Sequence, residues 1–95
     1  MSYSELLNCV LRKAIELHRQ GPGYAQQGVV ISEVARELGA MGNRQAQQQI
    51  LTCWHDLFRA GYLSWGYDVD NPDAPFFHVP TQDPERRRSL LSLPI

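Results

Sequence analysis

The stretch that decides the fold runs from Ile31 to Gly66 and reads ISEVARELGAMGNRQAQQQILTCWHDLFRAGYLSWG. Ser32 stands as a helix cap, Glu33 is well placed against the positive end of the helix dipole, and Val34, Ala35 and Leu38 are expected to face inward. Gly39 falls where a left-handed residue closes a helix. Ala40, Met41 and Gly42 then make a turn, and Asn43 is a good cap for the next helix. In that helix, Asn43 to Ala60, residues Ala46, Ile50, Cys53, Trp54, Leu57 and Phe58 recur at steps of three and four and form one apolar stripe. Gln45, Gln48, Gln49, Thr52, Asp56 and Arg59 point away from the stripe, with Arg44 and His55 on a flank. Gly61 closes the helix, and Tyr62, Leu63, Ser64 and Trp65 begin an alternating strand.

Toward the N-terminus, Ser2 with Glu5 three residues later fits a capping box for a first helix. Leu7, Val10, Leu11, Ala14, Ile15 and His18 recur at helical spacing, and Gly21, Pro22 and Gly23 end the pattern. Val29, Val30 and Ile31 read as a short β-branched strand that needs a partner, and the run Phe76 to Val79 is suitable. Between the later strands, Asp70, Asn71, Pro72 and Pro75 make a turn-rich tip of about ten residues, longer than a tight hairpin. Beyond Pro80, Asp83 and Pro84 fit the cap and first position of a short fourth helix carrying Leu90, Leu91 and Leu93.

Ninety-five residues suit one domain with one modest core, expected over residues 1–80 and followed by a tail, 81–95. No apolar stretch approaches the ~20 residues that span a bilayer, and the N-terminus lacks a signal-peptide pattern, so a cytoplasmic protein is expected. Cys9 and Cys53 fall on apolar helix faces and read as reduced core thiols. His18, His55 and His78 lack metal-site spacing, so neither a metal nor another cofactor is expected. The net charge of -1 is unlike a basic nucleic-acid-binding domain. Asp68, Asp70 and Asp73 make the strand-connecting loop acidic, while Arg86, Arg87 and Arg88 make the tail locally basic.

The Ile31 to Gly66 segment resembles the helix-turn-helix and first wing strand of bacterial winged-helix regulators. Ala35 stands where such motifs need a small residue for helix crossing, and Gly39 where they turn. The resemblance implies an α+β winged helix: a three-helix core, a small antiparallel β-wing and here a short C-terminal helix. It further implies that the third helix enters the major groove of double-stranded DNA, presenting Asn43, Arg44, Gln45, Gln48, Gln49 and Thr52. The chemistry suits the role: Gln pairs bidentately with adenine, Arg with guanine, and a Thr methyl touches thymine. Arg86, Arg87 and Arg88 are candidate phosphate contacts beside the groove. The bland alternative is that the glutamines solvate an exposed helix, and that the arginines pair with Asp83 and Glu85.

The acidic wing departs from the basic tip common in such regulators, since aspartates facing phosphates carry an energetic cost. Asp and Asn before Pro are also ordinary turn formers. Trp65, Tyr67, Phe76 and Phe77 read as ribbon packing in preference to a base-stacking platform. No catalytic residues are assigned, because His55 and Asp56 project to different azimuths of one helix, as do Cys53 and His55. The leading expectation is therefore a small homodimeric transcriptional regulator, not an enzyme. The alternative is a winged-helix protein-interaction module whose acidic wing meets a protein partner.

Overall fold

Three helices and a two-stranded antiparallel ribbon form a small α+β domain in the computed structural model, which describes residues 1–80. In chain order the elements are α1 (Tyr3–His18), α2 (Gln27–Glu37), α3 (Arg44–Arg59), β1 (Ser64–Trp65) and β2 (Phe77–His78). The three helices pack on one another in every pairing. The fourth helix read for the tail, with Arg86 to Arg88 and the leucines, lies outside the described residues.

The α1 capping box is present: the Glu5 amide donates to Ser2 Oγ at 3.2 Å, and the Ser2 amide donates to Glu5 Oε1 at 3.1 Å. This satisfies donors that a helix start otherwise leaves open. The buried line of α1 is Val10, Ala14 and Leu17, so the core-facing stripe includes Leu17 and leaves Ile15 and His18 half-buried at its margin.

The start of α2 departs from the sequence reading. Val29, Val30 and Ile31 are not a strand, and Ser32 is not a cap: all four lie inside α2, with Ser32 on its exposed side. Val30 and Val34, one turn apart, are fully buried beside Ala35. Burying a valine side chain is worth roughly 1.5–3 kcal/mol, against a helix-propensity cost of a few tenths to 0.7 kcal/mol, so tertiary packing decides the conformation. The pairing expected for this region does occur, but with residues just upstream. Gln26 bridges Phe76, the Phe77 amide donates to Ala25 O at 3.1 Å, and the Gln27 amide donates to Pro75 O at 3.0 Å. On its other side β2 pairs with β1 in the register Ser64 with His78 and Trp65 with Phe77.

The α2–α3 turn follows the glycine logic. Gly39 adopts φ +67°, the Ala40 amide donates to Ala35 O at 2.7 Å, and Asn43 Oδ1 accepts from the Ala46 amide at 3.0 Å. Gly61 closes α3 at φ +81°. Within the core, Trp54 meets Phe77 edge-to-face at 5.0 Å and Phe58 at 5.2 Å. Its indole N–H donates to Gln27 Oε1 at 3.1 Å, tying α3 to the first turn of α2. Cys53 is buried as expected, whereas Cys9 is only half-buried, and neither is in a disulfide.

Candidate nucleic-acid interface

The apolar stripe of α3 buries Ile50, Cys53, Trp54 and Leu57, which turns the opposite arc outward. Arg44, Gln45, Gln48, Gln49 and Thr52 are all exposed on that side, within the first nine residues of the helix, and Asn43 is exposed at its cap. The structure therefore brings together the six residues read from the third helix. Their exposure follows from the periodicity that fixes the core and says only that the face is available.

Hydrogen bonding separates these side chains into committed and uncommitted groups. Asn43 Oδ1 is used by the cap, and Thr52 Oγ1 donates back to Gln48 O at 3.0 Å, which leaves its methyl as the outward group. Among the described residues, the carboxamides of Gln45, Gln48 and Gln49 have no hydrogen-bond partner, and Arg44 has no ion-pair partner. The amides of Arg44 and Gln45 also remain without an intrahelical acceptor, as the first turn of a helix requires. The uncommitted set thus consists of one guanidinium, three carboxamides and two backbone donors.

Gln47 was missed as a functional position because it belongs to neither the stripe nor the polar arc. Its Nε2 donates to Ala40 O at 3.1 Å and also to Met41 O, clamping the turn onto α3. The available signal was its spacing, three residues before Ile50 and seven before Trp54, which puts it on the border of the buried stripe. A second contact braces the far side of the face. Tyr3 Oη donates to the Asp56 carboxylate, and this bond, with some desolvation and the negative charge of Asp56, pushes the tyrosine pKa up to about 12. Met1, Tyr3 and Leu6 consequently border one flank of the Gln48–Gln49–Thr52 surface, while Gly28, Ile31 and Ser32 of α2 border the other.

Charge is distributed sparingly. Lys13 sits 3.2 Å from Glu16 and 3.5 Å from Glu37, Arg36 pairs with Glu33 at 3.2 Å, and Arg59 pairs with Asp56 at 3.0 Å. Arg12, Arg19 and Arg44 have no such partner among the described residues. The loop between β1 and β2 exposes Asp68, Asp70 and Asp73. Asp68 organises that loop: its Oδ1 accepts from the amides of Asp70 at 3.0 Å and Asn71 at 2.8 Å and from Asn71 Nδ2 at 3.2 Å.

No family model, no curated protein and no solved structure matches this chain. The ribbon aromatics are largely engaged in packing. Phe77 is fully buried, Tyr67 lies 5.1 Å from His18, and Trp65 stacks on Phe58 at 4.3 Å while keeping one side exposed. Burial, and then the Asp56 charge, push the Cys53 thiol pKa up, so Cys53 stays protonated beneath the helix surface. No helix of the described residues is long and apolar enough to cross a membrane.

Proposed function

We propose that this chain is a winged-helix DNA-binding module, acting as a cytoplasmic homodimeric regulator that places the N-terminal half of α3 in the major groove. The observation that carries the reading is the uncommitted set on α3: Arg44 and the carboxamides of Gln45, Gln48 and Gln49 project together from a helix whose own fold makes no use of them. These groups match base edges, with Arg suited to guanine and Gln to adenine, while the Arg44 and Gln45 amides suit a phosphate. The order of three helices followed by an antiparallel ribbon is compatible with the winged-helix arrangement. Dimerisation supplies the second half-site that a module with few unpaired cations among its described residues needs.

Fluorescence anisotropy on duplex DNA across a salt series tests this. With Arg44 and up to three tail arginines, Arg86 to Arg88, neutralising phosphates, log affinity against log salt should fall with a slope of roughly -1 to -4 per copy. Once a preferred site is found, R44A and Q48A should each weaken specific binding by about 1–3 kcal/mol without altering thermal stability. Unchanged affinity in both variants would remove α3 as the reading element.

The exposed aspartates of the β1–β2 loop favour a second reading, in which the same fold docks on a protein through its wing. Replacing Asp70 and Asp73 by Asn should strengthen DNA binding if the wing lies over phosphates, and leave it unchanged if the wing faces a protein. A folded protein with no DNA affinity at low salt would move the assignment to this second reading.

A further inference from the structure

The flank of α1 beside its core-facing stripe holds an open groove whose floor is the half-buried Leu11 and Ile15. Arg12 and Arg19 border it, two helical turns apart on one side and with no ion-pair partner among the described residues. The one acid at this groove, Glu16, is already engaged by Lys13 at 3.2 Å. The groove is therefore apolar at its base and positive along its rim.

The β1–β2 loop has the opposite character. Val69 is 92% exposed, the most exposed large apolar side chain among the described residues, and it sits between Asp68 and Asp70. The turn that presents it is internally fixed by the bonds to Asp68 Oδ1 and by the Asp68–Asn71 bridge. A valine held at the apex of a rigid turn and flanked by carboxylates complements an apolar floor flanked by guanidiniums.

We infer that the wing tip of one copy docks in the α1 groove of a second copy, with Val69 on Leu11 and Ile15 and with Asp70 facing Arg12 or Arg19. The occupant is a second copy because this same chain supplies both halves of the complementarity, an apolar centre with opposite charges around it. Knob and groove are different patches on one chain, so two copies that exchange loops reciprocally about a twofold axis form a closed, isologous dimer. The buried area is small against the ~1,200 Å² typical of stable interfaces, so association should be weak and sensitive to salt. The inference concerns self-association and stands whether or not α3 reads DNA.

Sedimentation velocity on the full chain, over a concentration series at low and high salt, is the first measurement. Self-association that weakens with salt is expected. V69D, and separately the double variant R12E/R19E, should each weaken it by at least about tenfold, since each removes complementarity at the interface core or its rim. All three substituted positions are exposed or peripheral to the core, so folding is unaffected, and circular dichroism checks this. Mixing the two variants gives the decisive readout. One brings an intact groove and the other an intact knob, so a mixed dimer restores one of the two reciprocal contacts and the mixture should associate measurably more than either variant alone, though less than the parent. A monomer at every concentration, wild-type association in V69D, or failure of the mixture to associate would each overturn the assignment. The last outcome would instead indicate a patch that meets its own copy.

Discussion

Replacing Gln27 by Ala isolates one bond that joins two helices. Gln27 Oε1 accepts the indole N–H of Trp54 at 3.1 Å, and Trp54 is fully buried, so the truncation leaves that donor without its protein acceptor. An orphaned buried donor costs about 1–3 kcal/mol, and alanine's better helix propensity returns only a few tenths. A net loss near 2 kcal/mol corresponds to a fall in Tm of roughly 8–16 °C for a domain of this size. The backbone bond from Gln27 to Pro75 O does not involve the side chain, so the variant leaves the pairing beside it intact. Q27E serves as the control: it keeps an acceptor and places an acid in the first turn of α2, where the helix dipole favours it. Thermal and urea unfolding of Q27A, W54F and the double variant complete the cycle, with a coupling above about 1 kcal/mol expected. A Q27A protein within about 0.5 kcal/mol of the parent would refute the reasoning, as would an equal loss in the W54F background.

Three further outcomes follow from other contacts. Gly66 holds φ +91°, and a Cβ there would lie 2.5 Å from Pro72 O, so G66A should destabilise the ribbon by more than about 2 kcal/mol in denaturant unfolding and broaden the signals of Trp65 and His78. Burial, reinforced by the charge of His78, lowers the His18 pKa. The unfolded chain therefore binds the proton first, and this contribution to stability is intact above about pH 6.5 and lost as pH falls from there toward the lower folded value. Urea midpoints against pH should show that loss diminished in H18Q. The Tyr3 pKa of about 12 means that its ionisation should appear in ultraviolet absorbance well above the usual tyrosine range, and Y3F should remove that late step. Any stability from this bond is present below the usual tyrosine range and is lost as pH rises through the folded value.

Where the chain relies on local chemistry, the sequence and the structure agree. Ser2 and Glu5, Gly39, Asn43 and Gly61 each mark a helix end at its observed place, because capping and positive φ are properties of one or two residues. The outward arc of α3 was legible for the same reason, since a period of 3.6 fixes both faces at once. The beginning of α2 was not. Gln26 precedes it without a side-chain cap and spends its carboxamide on Pro22 O and Gly23 O, so no residue announces the start, while the β-branched triplet and Ser32 both suggest a later one. At the candidate interface, the sequence places Gln45, Gln48 and Gln49 correctly but cannot show which polar groups are already spent. The commitments of Gln47, Thr52 and Tyr3 depend on partners up to 53 residues away.

The missing cap has a structural remedy. The first amide of α2 finds its acceptor in Pro75 O, on the segment returning from the β1–β2 loop, and the neighbouring Ala25 carbonyl is taken by Phe77. The ribbon thus caps the start of a helix that lies nearly fifty residues earlier in the chain. Shortening or deleting it would be a helix-capping lesion as much as the loss of an appendage, and a chain trimmed to the three helices would begin to unravel at the turn of α2 that holds Trp54.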